Sequence, residues 1–145
     1  MALQMDAAAL NAFLGRDFPQ LTGQFAVESA TPDLLVARLH VTEAHLRPGG
    51  TVSGPSMFGL ADVAVYCAIL SRIGPVALAV TTNASIDFMR KPEAGRDLRA
   101  ECRVLKLGRS LAVAEAMIFS EGQPDPVARC SITYAIPPGR AAVAG

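Results

Sequence analysis

Apolar and polar residues change their period several times along this chain, and each change marks an element. Between Asp6 and Arg16 the apolar positions Ala9, Leu10, Phe13 and Leu14 recur at helical spacing, which predicts a short amphipathic helix over about 6–17. Asp33 to Val41, DLLVARLHV, is rich in β-formers and alternates in part, so it reads as a strand. Pro48-Gly49-Gly50 follows as a loop. From Ser53 to Gly74, SGPSMFGLADVAVYCAILSRIG, nearly every residue is apolar, and a single acid, Asp62, stands in the middle. Pro55 suits a first helical turn, where its missing N–H would be unpaired anyway. Gly74-Pro75 ends the segment, with Arg72 near the negative pole of the helix. Pro55 to Ile73 would span roughly 28 Å at the α-helical rise. A helix apolar on almost all sides has to be wrapped by other elements.

Val76 to Pro92 then alternates, with Val80, Thr82, Ala84, Ile86 and Phe88 on one face of a strand and Thr81, Asn83, Ser85 and Asp87 on the other. Two further strands meet at Leu107-Gly108-Arg109-Ser110, a hairpin candidate, and DPVARCSITYAIPP supplies the last. The order predicts one α+β domain over 1–145, with about five to six antiparallel strands curved around one long hydrophobic helix. The tail at about 138–145 is expected to fray.

Composition sharpens this picture. Hydrophobic residues make up 51% of the 145 and charged residues 18%, enough apolar surface for a sizeable core and for a buried surface between subunits. Thirteen basic and thirteen acidic residues cancel, which excludes the basic footprint of a nucleic-acid binder. The three cysteines, Cys67, Cys102 and Cys130, are odd in number and far apart, with no CxxC or Cys/His cluster. They read as reduced, buried thiols of a cytoplasmic protein, with neither disulfides nor metal expected. The first eighteen residues lack the basic and apolar regions of a signal peptide. No membrane span is expected either, because Asp62 would lie near mid-bilayer.

Three features could carry chemistry. Asp62 shares its helical face with Phe58, Gly59, Val65 and Tyr66. A carboxylate in such company is poorly solvated and competent as a general base or nucleophile, although it also fits a structural role satisfied by backbone donors. Gly54 lies at the turn into the helix, where backbone N–H groups can stabilise developing negative charge. Eight residues separate the two, about 12 Å along the helix. A substrate must therefore lie along the helix, or the acid must come from a second subunit. Arg90, Lys91, Lys106 and Arg109 flank turns, where they can meet phosphates or stand as solvated surface charge. His40 and His45 are too few and too scattered for a metal site. No GxSxG, Walker or dinucleotide motif occurs.

The segments HLRPGGTVSGPSMFGLADVAVY, TTNASIDFMRKP, LKLGRSLAVAEA and PVARCSITYAIP resemble the hotdog-fold acyl-CoA thioesterases of the phenylacetate-degradation (PaaI-like) type, over roughly Leu35 to Pro137. The resemblance implies the hotdog fold, a homodimer assembling into a homotetramer, and an active site between subunits. It implies hydrolysis of an acyl-CoA to free acid and CoA, with no cofactor. In that reading Gly54 offers its N–H to the thioester oxygen, Asp62 acts as base or nucleophile across the interface, and Thr81 helps position water. Met57, Phe58 and Tyr66 would line the acyl chain. Arg90, Lys91 and Gly108-Arg109-Ser110 would meet the CoA nucleotide, and Ser53, Pro55 and Asn83 complete the substrate-binding set. The family's usual turn reads Asn-x-x-Gly-x-x-His-Gly-Gly. Here Arg47 replaces the Asn, Ser53 the His and Pro55 the second Gly, which opens the alternative of a non-catalytic acyl-CoA-binding protein. A hotdog dehydratase needs a catalytic His, and neither His40 nor His45 falls on the helix or its entry turn.

Overall fold

The structure, a computed structural model, describes residues 2–138, so 139–145 of the predicted tail lie outside the described residues. The elements run α1 (Ala7–Asp17), β1 (Phe25–Ala30), β2 (Leu35–Leu39), α2 (Gly54–Ile73), β3 (Val80–Phe88), β4 (Leu98–Leu107), β5 (Leu111–Ser120) and β6 (Pro126–Ala135). Asp6 caps α1 by accepting the Ala9 N–H at 2.9 Å, and α1 buries Leu10, Phe13 and Leu14, the stripe its spacing predicts.

The six strands form one antiparallel sheet in the order β1-β2-β4-β5-β6-β3. This curved sheet around one long helix is the hotdog arrangement. β1 is the element the sequence pattern did not reveal. A bulge between Val27 and Ser29 breaks its alternation, and the Asn11 side chain fills in for a strand neighbour there. Its amide donates to Val27 O at 2.9 Å and its carbonyl accepts the Val27 N–H at 2.8 Å.

α2 runs across the concave face of the sheet. It brings Ala61, Ala64 and Ala68, and β5 brings Ala112, Ala114 and Ala116, all buried, so small side chains on both elements let helix and sheet approach closely. Leu60, Ile69 and Leu70 are fully buried, each worth about 1.5–3 kcal/mol of transfer free energy. The 20 residues of α2 are long and apolar enough to cross a bilayer, yet 67% of its most apolar window is buried inside the fold. The wrapping is not complete. Pro55, Phe58, Gly59, Asp62 and Val63 form a stripe that a single chain leaves partly open to solvent.

That stripe lies beside β3, and β3 departs from the predicted pattern in two ways. It is an edge strand, paired with β6 alone and largely exposed on both faces, with Val80 at 55% and Phe88 at 52% exposure. It also carries a bulge between Thr81 and Asn83. Strict alternation would set Thr81 opposite Ile86 and Phe88. The bulge shifts the period by one, so Thr81 reaches the helix from the same side as Phe88.

Candidate active site

The entry into α2 is a tightly pinned turn. Arg47 N–H donates to Thr51 O at 2.9 Å, Gly50 N–H to Arg47 O at 3.0 Å, and Ser53 N–H to His45 O at 2.9 Å. Gly49 and Gly50 have φ of 102° and 83°, a backbone region that side-chain-bearing residues rarely adopt. The buried His45 ring secures the loop from behind. Its Nδ1 accepts the Thr42 N–H at 2.9 Å, which leaves Nε2–H to donate to Gln24 Oε1 at 3.0 Å. Ser53 is the cap residue, and its Oγ accepts the Ser56 N–H at 3.3 Å. Gly54 is the first helical residue, so its N–H has no acceptor within the helix and faces outward at the positive pole.

A cleft of about 420 Å³ opens at this point, lined by Arg47, Thr51, Val52, Gly54, Met57, Phe88, Met89, Arg90, Lys91 and Pro92. The Phe88 ring lies over Gly54 so closely that a Cβ there would sit 3.2 Å from its Cζ. Arg47, Arg90 and Lys91 make the rim basic. Arg90 is steadied by donation from Nε to Pro126 O at 3.1 Å.

Two turns further along α2, Asp62 meets two hydroxyls. Thr81 Oγ1 donates to Asp62 Oδ1 at 2.5 Å, and the Tyr134 hydroxyl donates to the same oxygen at 2.9 Å, with the Asp62 backbone carbonyl a second acceptor at 3.2 Å. Thr81 and Tyr134 are direct partners across β3 and β6. Burial, and then the Asp62 charge, push the Tyr134 phenol well above its usual range, so it remains a donor.

The remaining predicted residues divide. Met57 lines the cleft, Phe58 sits half-buried on the open stripe, and Pro55 and Asn83 are exposed. Tyr66 instead turns into the core. Its hydroxyl donates to Ala77 O at 3.0 Å, burial pushes its phenol up to about 12, and its ring packs on Phe13, Phe18 and Tyr134. Gly108, Arg109 and Ser110 form the β4–β5 turn beside Val80, because Leu111 and Val80 both pair with Ala135. Arg90 and Lys91 follow Phe88 at the other end of β3. Within one chain the two groups of residues therefore lie about 25–30 Å apart at the strand rise. Tyr134 and Phe88 are the contributors that sequence reasoning did not place in the site, whereas Arg47, read there as standing at the Asn position of the turn, does line the cleft. Tyr134 carried a faint signal, since a tyrosine on a core-facing strand position needs a partner for its hydroxyl.

The family model of the thioesterase superfamily matches residues 49–127, which takes in Gly54, Asp62 and Thr81. The chain belongs to the thioesterase superfamily. Human acyl-coenzyme A thioesterase 13 is 28% identical over 98 residues, 67% of this chain and 69% of that protein. A solved structure from Silicibacter sp. TM1040, itself only provisionally assigned as a thioesterase, is 57% identical with a TM-score of 0.89, covering 95% of this chain and 96% of that one. A mutant of the phenylacetic acid degradation protein PaaI from Thermus thermophilus is 29% identical with a TM-score of 0.68, covering 81% of this chain and 97% of that one. The protein is thus a thioesterase-type enzyme on the hotdog fold.

Proposed function

We propose that this thioesterase hydrolyses acyl-CoA at a site shared by two copies of the chain, in the cytoplasm. The observation that carries the reading is the placement of Asp62, hydrogen-bonded through one oxygen by Thr81 and Tyr134, on the open helix stripe beside an edge strand whose outer side has no strand partner among the described residues. The acyl-CoA substrate is argued from the human relative and from the basic rim of Arg47, Arg90 and Lys91, which suits a nucleotide diphosphate. Three buried free thiols support a reducing compartment.

Strand register supports a shared site. β3 has one free edge and exposes Leu78, Val80, Phe88 and Met89 around it. Two-fold antiparallel pairing with the same strand of a copy would cover these residues and satisfy the edge. It would also bring the Thr81–Asp62 end of one chain against the Phe88–Gly54 end of the other. The Gly108–Ser110 turn of one chain would likewise approach Arg90 and Lys91 of the other. The roughly 12 Å between Gly54 and Asp62 of one chain then ceases to matter, and a homotetramer would stack two such dimers.

In this site the thioester oxygen accepts from the Gly54 N–H at the helix pole. Asp62 either takes a proton from the attacking water or attacks the carbonyl carbon itself. The tetrahedral oxyanion is held by Gly54 N–H, and its collapse breaks the C–S bond to release CoA thiolate. In the general-base course the proton that Asp62 took from water passes to the thiolate; in the nucleophilic course the thiolate takes its proton from solvent, and a water then cleaves the acyl–Asp62 anhydride to release the free acid and restore the carboxylate. Thiol release from short, long and aromatic acyl-CoAs, with wild type and Asp62→Asn in parallel, tests this reading. Asp62→Asn should stay folded and lose roughly 100-fold or more in kcat. Near-normal turnover in the variant would remove Asp62 from the mechanism.

A further inference from the structure

We infer that Tyr134 is a positioning residue for Asp62: its hydroxyl and that of Thr81 together fix Oδ1 and so assign Oδ2 as the reacting oxygen. The inference rests on the thioesterase reading and deepens it by giving Tyr134 a part in that site.

The two oxygens of Asp62 are not equivalent. Oδ1 accepts from Thr81 at 2.5 Å and from Tyr134 at 2.9 Å, whereas no hydrogen bond to Oδ2 is found among the described residues. Two donors on one carboxylate oxygen lower its charge density and leave the other the better nucleophile or base. They also freeze the carboxylate rotation that would exchange the two. Asp62 sits in mid-helix, so without such anchors its plane could turn about its own side-chain bonds.

Tyr134 itself is held on every side. It is 3% exposed, so its hydroxyl acts through Asp62 and does not touch substrate. Its ring packs on Tyr66 with centroids 5.9 Å apart, and Tyr66 is in turn fixed by the Ala77 carbonyl and by Phe18, 5.9 Å away edge-on. β6 carries Tyr134 directly opposite Thr81, so the β3 bulge that brings Thr81 to Asp62 brings it to Tyr134 as well. The titratable groups near the carboxylate are Tyr134 and Cys130 from β6, with Cys67 of α2 near Tyr134. Both thiols are raised, mainly by burial, and stay neutral at working pH.

Tyr134→Phe keeps the ring and removes the hydroxyl alone. Two readings follow: kcat and KM on an acyl-CoA that wild type cleaves, and the orientation of the Asp62 carboxylate in crystal structures of wild type and variant. Loss of the donor should lower kcat by about tenfold or more with KM changed by less than about twofold, the mark of lost positioning rather than lost binding. It should also let the carboxylate turn away from the orientation it holds in wild type. Thr81→Val should free the carboxylate in the same way, which keeps the test open if one variant folds poorly. An unchanged carboxylate orientation in both variants overturns the inference, as does wild-type kcat in Tyr134→Phe. A wild type that cleaves no acyl-CoA would overturn the thioesterase reading instead, and the carboxylate orientation would still decide the part played by Tyr134.

Discussion

Adding one methyl group at Gly54 separates the catalytic meaning of the helix entry from its folding meaning. Gly54 has an ordinary helical backbone, with no positive φ, so alanine can adopt its conformation. In a helix alanine is favoured over glycine by up to about 1 kcal/mol. Opposing this, the new Cβ would lie 3.2 Å from Cζ of Phe88 and 3.6 Å from Cε1, tight enough to require a shift of a few tenths of an ångström. Phe88 is 52% exposed in the single chain, and a shift of a few tenths of an ångström lies within the range of small adjustments about its side-chain torsions. The two effects nearly cancel, and Gly54→Ala should unfold within about 3 °C of wild type, as expected for a change under 1 kcal/mol in a chain of this size. Turnover should respond very differently. The methyl group enters the space between the Gly54 N–H and the Phe88 ring, where a thioester oxygen has to lie, and a displacement of about 1 Å there costs on the order of 100-fold. Thermal denaturation and thiol-release kinetics on the same preparation read both quantities. Adding Phe88→Ala to Gly54→Ala gives the substrate room to shift and should recover part of the loss. Full kcat/KM in Gly54→Ala refutes the placement of the oxyanion at this N–H. A fall in melting temperature beyond about 10 °C would show that the glycine serves packing instead.

Two other outcomes follow from the same structure. Ala84 is exposed in mid-β3, so Ala84→Lys should leave the single chain folded yet set two like charges near the two-fold axis of the proposed pairing; light scattering after gel filtration should report loss of the dimer, with activity lost in parallel, and an unchanged mass would exclude β3 as the interface. Asp97 opens β4, and although partial burial pushes its carboxyl up, the Val41 N–H at 2.9 Å, Arg38 and His40 outweigh burial and hold it below its usual range. A depressed folded-state value means that the stabilisation is complete above the unfolded-state value near 3.9 and is lost as pH falls below it. Urea midpoints between pH 6 and 3 should therefore drop more steeply for wild type than for Asp97→Asn, and parallel curves would remove Asp97 from the acid sensitivity.

How much of this was legible in the sequence depended on whether the information was periodic. α2 was clear because Pro55 and Gly74 punctuate a long apolar run, and the observed start differs from the predicted one by a single residue. β4 and β5 were clear because β5 alternates regularly from the turn onward and β4 alternates from Leu98 to Cys102, well before its own bulge between Val104 and Lys106. Two of the failures involve a break in period. β1 hides behind the Val27–Ser29 bulge, and Thr81 was assigned to the wrong face because the bulge after it is invisible to a count of every second residue. Tyr66 looked like a pocket residue from helical spacing alone, since spacing fixes which face a side chain leaves from but not what stands opposite. The site is concentrated at these breaks for a physical reason. A regular strand presents its side chains at fixed intervals to one face, whereas the carboxylate on α2 is held by two hydroxyls converging on one oxygen. The β3 bulge supplies that convergence by rotating Thr81 inward while Tyr134, its partner on an unbroken stretch of β6, stays in the core register. It follows that the bulge matters only through the face it gives Thr81. Deleting Thr82, the extra residue, makes the pairing regular and leaves Thr81 opposite Tyr134, so that variant should keep the sheet, the contact to Asp62 and most of its turnover. If it lost turnover as Thr81→Val does, the bulge itself, and not only the side on which it places Thr81, would be part of the site.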